Sequence, residues 1–159
     1  MTIGKKIKQA KLLRKMETSE LGFLTNLSPN RVRSYESGVR IPKTQLLEQF
    51  ANALGMPMEY FVDHKIDSYA DFFQVFFELE DSIGLTVEPT ENGKCVLTCN
   101  DVMFETYLRN WYQKKEDLKN GKCSKEEYDI WRARFPISVA DDMHADMRNK
   151  MKNMKENED

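Results

Sequence analysis

The chain has 159 residues, enough for one ordinary domain or two small ones. Hydrophobic residues make up 40% and charged residues 31%, a balance typical of globular proteins. No apolar run has the length of a membrane span and no signal-peptide core is present, so we expect a cytoplasmic protein. The three cysteines, an odd number, argue against a disulfide framework.

Charge is distributed unevenly along the chain. Residues 1–63 hold ten Lys and Arg against six Asp and Glu, whereas residues 64–159 hold fourteen against twenty. A basic front and an acidic rear are expected if only the front meets phosphate. Chance variation in a charge-rich surface explains the asymmetry about as well, so charge alone does not decide the function.

The periodicity of apolar residues predicts a mainly α fold in three segments. Residues 1–63 form a domain of five short helices. Residues 64–136 form a small α+β accessory domain that contains a helix, a β-hairpin and further helices. Residues 137–159 form a charged tail that can adopt an amphipathic helix.

The first two helices are joined in a characteristic way. Helix 1 is predicted from Ile3 to Lys15, with Ile7 and Ala10 facing the core. Helix 2 is predicted over residues 18–25, and Asn26-Leu27 connects it to the next element. Two short helices joined by a turn of three or four residues form a helix-turn-helix pattern.

The third helix has the residues of a nucleic-acid reader. Ser28 is a good N-cap, Pro29 suits the first helical position, and Gly38 can end the helix in the left-handed conformation. Val32 and Tyr35 can face inward. The outward face carries amide, guanidinium and hydroxyl groups, from Asn30, Arg31, Arg33 and Ser34. These groups can donate hydrogen bonds to base edges and to phosphate oxygens.

A fourth helix is predicted over residues 43–54, after a turn at Arg40-Ile-Pro42, and a fifth over residues 58–62. Residues 3–61 as a whole resemble the XRE helix-turn-helix family of phage repressors and Cro proteins. The resemblance is carried, in order, by Ile3-Gly4, Ile7, Ala10, Glu20-Leu21, Ser28-Pro29, Tyr35-Glu36, Gly38, Arg40, Pro42, Leu47, Ala51 and Leu54-Gly55.

This resemblance implies a repressor-like fold for the front domain and a double-stranded-DNA-binding transcriptional regulator of bacterial or phage origin. It further implies a homodimeric repressor without catalytic activity or cofactor, whose third helix enters the major groove. Two such helices about 34 Å apart would read a short inverted repeat. The residues expected to contact DNA are Thr18, Ser28, Asn30, Arg31, Arg33, Ser34, Arg40 and Lys43.

These residues have different expected roles. Asn30 suits adenine, whereas Arg31 and Arg33 suit guanine or phosphate. Thr18, Arg40 and Lys43 are expected to hold phosphate, and Ser34 is a smaller reader or phosphate donor. Because one domain offers few phosphate contacts, useful affinity is expected to require a dimer.

Several positions depart from the family pattern. Lys11 stands where an Arg usually pairs with the residue matching Glu36, so the ion pair lacks a two-pronged donor. Gly22 replaces the usual Ala, at a cost of about 1 kcal/mol in helix propensity. Phe23 and Leu24 replace polar residues. In one interpretation they form an exposed patch that docks the rest of the chain or a second copy. In the other, helix 2 is rotated so that one of them is buried.

The second half begins with an aromatic helix, predicted to run from its cap at Ser68 to about Ile83. Its apolar stripe is too broad for a half-buried helix, so a sheet or a second subunit must cover it. Two strands follow at residues 85–89 and 94–99, joined through Asn92-Gly93, a strong hairpin signal. The stripe consists of Tyr69, Phe72, Phe73, Val75, Phe76, Phe77, Leu79 and Ile83.

Two more helices follow the hairpin. One is capped by Asn100 or Asp101, runs over residues 102–119 and stops at Asn120-Gly121. The other opens with a capping box at residues 124–127, continues through Arg134 and ends before Pro136. The aromatic run through these helices is loosely similar to accessory segments of some bacterial regulators, and no site is carried over from it.

The tail contains a narrow apolar seam in an otherwise charged segment. The seam can join two copies or grip a target, and a frayed tail helix lying on the body or free in solution explains the pattern equally well. Its members are Met143, Met147, Met151 and Met154.

Catalysis and metal binding are not supported by any motif. Cys95 and Cys99 share a predicted strand face and Cys123 follows later, but His64 and His144 lack ligand spacing, so we expect no metal site. Buried free thiols are the favoured interpretation, with a redox switch left open.

Three other functions remain open besides repression. One is an antitoxin whose second half binds a toxin, and another is a small-molecule sensor whose aromatic helix and hairpin wall a pocket. A protein-interaction module with this fold but no DNA function is a further alternative, because fold does not fix function.

Overall fold

The computed structural model describes residues 1–62 and 66–156, and it confirms a mainly α fold with one small antiparallel hairpin. Within these ranges, no helix combines the length and the apolar character that crossing a membrane requires. The elements are α1 (Ile3–Leu13), α2 (Thr18–Leu24), α3 (Pro29–Glu36), α4 (Thr44–Leu54), a 3₁₀ helix (Met58–Phe61), α5 (Tyr69–Ile83), β1 (Thr86–Pro89), β2 (Cys95–Thr98), α6 (Val102–Lys119), α7 (Lys125–Ala133) and α8 (Ile137–Glu156).

The described residues form two compact units. The first unit combines residues 1–62 with the segment from Asn120 onward, and the second unit ends at Lys119. The predicted accessory domain of residues 64–136 is thus divided between them. Sequence periodicity shows that α7 has an apolar face, but it does not show which surface that face covers.

The front domain follows the predicted order of helices, with small changes at their ends. Helix α1 ends at Leu13 rather than Lys15, because Lys15 adopts a left-handed φ of 51° that starts the turn into α2. The predicted fifth helix is a single 3₁₀ turn. The core of the domain consists of Ile7, Ala10, Leu21, Val32, Tyr35, Phe50, Ala51, Leu54, Met56 and Phe61.

Helix α7 packs on this domain rather than on the hairpin region. Ala133 is buried in the same core cluster, and Arg134 Nε donates a hydrogen bond to the carbonyl oxygen of Gly55 at 3.3 Å. Lys15 Nζ of the front domain lies 3.1 Å from Glu126 Oε1, which belongs to the first turn of α7. Residues at both ends of α7 therefore contact the front domain.

Helix α8 is held against α7 by polar bonds. Trp131 Nε1 donates to Asp142 Oδ2 at 2.9 Å, and Ser138 Oγ donates to the Trp131 carbonyl oxygen at 2.8 Å. Arg134 Nη2 pairs with Asp141 Oδ2 at 3.0 Å. Met143 and Met147 of the predicted seam are exposed, and the side chains of Met151 and Met154 lie outside the described part of the chain.

The second unit begins with α5, whose start is fixed by a capping box. The Ser68 side chain accepts from the Asp71 N–H, and the Asp71 carboxylate accepts from the Ser68 N–H. The Ser68 hydroxyl also donates to that carboxylate, as does the Asp67 N–H, and these bonds lower the pKa of Asp71. The cap predicted at Ser68 is confirmed.

Strands β1 and β2 pair antiparallel, with Thr86 opposite Thr98 and Pro89 opposite Cys95. The turn is wider than an Asn-Gly pair alone. The backbone N–H of Thr90 donates to the Lys94 carbonyl oxygen at 2.6 Å, and Gly93 takes a left-handed φ of 75°. The predicted hairpin is confirmed, with shorter strands.

No residue of α5 is buried, so the described residues of one chain do not fully cover its apolar stripe, and the second subunit expected as one possible cover stays a prediction. The expectation of buried thiols was wrong. Cys95 is exposed and Cys99 and Cys123 are partly exposed, so the thiols are not buried. Cys99 lies just beyond β2, where its Sγ donates to the Ile83 carbonyl oxygen at 3.2 Å. Burial was expected because cysteine is usually an interior residue, but a two-stranded hairpin has no second layer to bury it.

Candidate nucleic-acid interface

Helix α3 forms with the caps expected from its sequence. Ser28 is the N-cap and its side chain accepts from the Arg31 N–H at 3.4 Å, while Pro29 occupies the first turn. Gly38 follows the helix with a left-handed φ of 79°. Val32 and Tyr35 are buried in the core. The opposite face of α3 is consequently directed away from the domain.

Most of the predicted contact residues are accessible. Ser34 and Thr18 are half-buried, and the other six are exposed. Arg40 follows α3, and its backbone N–H donates to the Ser34 carbonyl oxygen at 3.0 Å. This bond fixes the start of the loop that leads from α3 past Lys43 to α4. The exposed six are Ser28, Asn30, Arg31, Arg33, Arg40 and Lys43.

Two of the presumed readers are bonded to each other. Arg33 Nη1 donates to Asn30 Oδ1 at 3.0 Å, which uses one of the two acceptor positions of the oxygen that Asn30 would present to the adenine N6 amino group. The amide NH₂ of Asn30 still offers donors, as does the rest of the Arg33 guanidinium. Asn30 and Arg33 therefore present one combined donor surface unless this bond opens on contact with DNA.

Ser34 is less suited to donate to phosphate than the sequence suggests. Its hydroxyl donates to the Arg31 carbonyl oxygen one turn earlier, at 2.8 Å. A hydroxyl has a single proton, so in this rotamer Ser34 can only accept. Sequence spacing does not reveal this bond, because it depends on the side-chain rotamer.

A nearly buried ion pair joins the first three helices. Lys11 Nζ on α1 lies 2.9 Å from Glu36 Oε1 at the end of α3, with 11% and 8% of the side chains exposed. The same Nζ donates to Thr18 Oγ1 at the start of α2. Because Thr18 accepts this bond, its own hydroxyl proton stays available to donate to phosphate. The lysine thus makes the pair that the family makes with arginine.

Close backbone approaches fix α3 against its neighbours. A Cβ atom on Gly4 would lie 2.3 Å from the Tyr35 carbonyl oxygen, so α1 can cross the end of α3 only with glycine at this position. A Cβ atom on Gly22 would lie 2.6 Å from the Leu27 carbonyl oxygen. The alanine usual in the family would require this turn to open, so Gly22 has a packing role besides its cost in propensity.

Phe23 and Leu24 remain outside the core. Phe23 is 86% exposed and Leu24 51%, so α2 has not rotated to bury either side chain. Of the two interpretations made from the sequence, the structure excludes the rotated helix and agrees with an exposed patch.

The comparisons with known proteins converge on this domain. Residues 7–61 match the model of a family described as helix-turn-helix. Multiprotein-bridging factor 1 of Candida albicans is 38% identical over 58 residues, and multiprotein-bridging factor 1 of Debaryomyces hansenii is 36% identical over 58 residues. These matches cover 36% of this chain and 38% and 39% of the relatives, so the chain spans well under half of their length. The predicted helix-turn-helix domain is confirmed.

Proposed function

We propose that this chain is a sequence-specific double-stranded-DNA-binding transcriptional regulator that acts as a homodimeric repressor. The observation that carries the proposal is the outer face of α3, where Asn30, Arg31 and Arg33 are exposed on a helix that cannot shift freely. The helix is held by the Lys11–Glu36 pair and by the crossing at Gly4. A rigid, donor-rich helix is what direct readout in the major groove requires.

The roles divide between base reading and backbone positioning. Arg31 and the combined surface of Asn30 and Arg33 face base edges, with guanine as the best match for a free guanidinium. Thr18 at the start of α2 and the cations Arg40 and Lys43 after α3 contact phosphate and set the register of α3. The match of residues 7–61 to the helix-turn-helix family supports this assignment.

The dimer follows from the small number of contacts in one copy. Four cationic side chains on one domain give weak and mostly non-specific binding. Two copies that present α3 about 34 Å apart would read an inverted repeat and double the number of contacts. Occupation of an operator that overlaps a promoter then represses transcription by exclusion.

A second candidate function rests on Phe23. An aromatic side chain that is 86% exposed, next to a half-exposed leucine, offers a contact for another protein. The relatives are named multiprotein-bridging factor 1, and we propose that this patch lets the present chain bind a protein partner. Replacing Phe23 with Ser should then abolish partner recruitment and leave DNA affinity unchanged. The antitoxin and small-molecule-sensor alternatives stay predictions.

The decisive test begins with selection of bound sequences from a random double-stranded library by the full-length chain at moderate salt. We expect enrichment of a short inverted repeat. Arg31→Ala and Arg33→Ala should each weaken binding to that site by about 5- to 150-fold, equivalent to about 1–3 kcal/mol, and relax the sequence preference.

Arg109→Ala serves as the matched control, because Arg109 is an exposed arginine on α6 that pairs with Glu105 at 2.7 Å within its own helix. This variant should bind as the parent does. Failure to enrich any sequence, or equal binding by all three variants, would refute α3 as the reading helix.

A further inference from the structure

The second unit has almost no interior of its own. Neither the fifteen residues of α5 nor the eighteen residues of α6 include a buried side chain. Leu85 is the one buried residue among the described residues 66–119. An isolated two-stranded hairpin is marginally stable at best, and two helices without buried faces add little to it. This unit needs further burial to keep its shape.

The exposed surface of the unit is large and aromatic. On α5, the rings of Phe72 and Phe76 lie 4.5 Å apart, and Phe73 lies 5.9 Å from Phe76 and 6.2 Å from Phe77. These rings contact one another and still face solvent. Further exposed apolar side chains lie on the hairpin and on α6, namely Val87, Val96, Leu97, Val102, Met103, Leu108, Trp111 and Tyr112.

The exposed area matches what one interface needs. At about 150–250 Å² per aromatic side chain, the uncovered fractions of Tyr69, Phe72, Phe73, Phe77, Trp111 and Tyr112 leave roughly 700 Å² of aromatic surface in contact with water. A specific interface buries about 800 Å² on each partner, and single soluble chains rarely expose such a patch. The summed area is therefore about what one partner covers when both helices contribute to the same interface.

The charges on the two helices indicate which partner this is. Helix α5 carries Asp71, Glu78, Glu80 and Asp81 and no basic residue, whereas α6 carries four basic residues against three acidic ones. In a two-fold dimer, each contact occurs twice, with the two surfaces exchanged. The acidic α5 of one copy can then face the more basic α6 of the other in both halves of the interface.

We infer that residues 66–119 form a dimerisation module, in which two copies enclose one shared aromatic core and α5 of each copy packs against α6 of its partner. This inference rests on the proposed function, because it supplies the homodimer that the DNA-binding domain requires. It goes further by naming the interface and the helices that meet across it.

The first test measures the mass of the full-length chain by light scattering at about 50 µM without DNA, a concentration at which micromolar association is detected. We expect twice the chain mass of 18.7 kDa. Phe77→Ser should reduce the mass to that of one chain. Phe23→Ser, which removes a still more exposed ring from the first unit, is the matched control and should leave the dimer intact.

The second test uses reciprocal charge changes. One variant carries Glu80→Lys and Asp81→Lys on α5, and the other carries Lys115→Glu and Lys119→Glu on α6. Each should be monomeric alone, because like charges then meet twice. A mixture of the two should form a heterodimer, because each α5–α6 contact again joins opposite charges. The control for the added charge is Glu17→Lys with Glu20→Lys on α2, which should leave the dimer intact.

A monomeric parent chain would overturn the inference. So would a dimeric Phe77→Ser chain, dimeric charge variants, a mixture that fails to associate, or a basic protein that co-purifies on this face in place of a second copy. A dimer that enriches no DNA sequence would refute the proposed function alone, whereas a chain that reads an inverted repeat as a dimer, and stays dimeric in the Phe77→Ser and charge variants, would refute this inference alone.

Discussion

At the scale of single residues, the structure shows how a lysine replaces the family's arginine. Lys11 Nζ reaches both Glu36 and Thr18, so one ammonium group connects α1, α2 and α3. The two charged side chains are almost fully buried, and a buried charge without its partner is strongly unfavourable. The pair therefore contributes to the position of the reading helix as well as to stability.

We predict that Lys11→Met lowers the free energy of unfolding of the first unit by about 3–5 kcal/mol, because it leaves the Glu36 carboxylate buried and unpaired. Lys11→Arg should change it by less than about 1 kcal/mol, since the charge is retained. Urea unfolding monitored by α-helix circular dichroism, with hydrogen exchange of the α1 and α3 amides, measures both effects.

The double variant Lys11→Met with Glu36→Gln is the control for this prediction. It removes both charges and should recover most of the lost stability. If Lys11→Met alone proves as stable as the parent, the ion pair does not hold these helices together.

At the scale of elements, the notable feature is that α7 belongs to the DNA-binding unit. Ala133 is buried among residues of the front domain, and Arg134 bonds to the backbone at Gly55, where α4 ends. A helix-turn-helix domain of about 60 residues buries a smaller fraction of its surface than a larger domain does and is marginally stable alone. Helix α7 enlarges that core from a distant part of the chain.

We predict that Ala133→Asp destabilises the front domain by about 2–4 kcal/mol, because a carboxylate would enter an apolar contact without a partner. Thermal unfolding and hydrogen exchange of the α1 and α4 amides would show the change. Ala140→Asp is the matched control, since Ala140 on α8 is exposed, and it should have little effect. Equal stability of the Ala133→Asp chain would mean that α7 contributes nothing to the domain.

At the scale of the whole molecule, the proposed DNA affinity depends on charge and on oligomeric state together. The acidic residues are concentrated after residue 63, so the chain as a whole has a net charge of −2 although its front is basic. In the proposed complex, Arg40 and Lys43 of each copy hold phosphate, while Arg31 and Arg33 face base edges.

We predict that the logarithm of the DNA-binding constant falls with the logarithm of salt concentration with a slope of about −4 if two copies each hold phosphate with Arg40 and Lys43, and about −2 if one copy binds. Fluorescence anisotropy over a salt series measures the slope. Arg40→Ala should reduce its magnitude by about two in a dimer, and Arg109→Ala should not change it. A slope near −2 for the parent chain would contradict binding as a dimer.

The sequence by itself determined the helix-turn-helix domain, because local signals fix its elements. Ser28, Pro29 and Gly38 define α3 within the chain segment that forms it, and the spacing of Val32 and Tyr35 decides which face is buried. The helix cap at Ser68, the capping box at Ser124 and the hairpin at Asn92-Gly93 are local in the same way, and the structure confirms them.

Only the tertiary structure decided where the later helices pack and how the contact residues are used. The contact between Ala133 and the front domain joins residues far apart in the chain, and an apolar face does not encode which surface it will cover. The bonds of Asn30 with Arg33 and of Ser34 with the Arg31 carbonyl depend on rotamers, which spacing does not specify. The exposure of α5 shows the same limit, because an apolar stripe requires burial but does not state whether the same chain or another copy provides it.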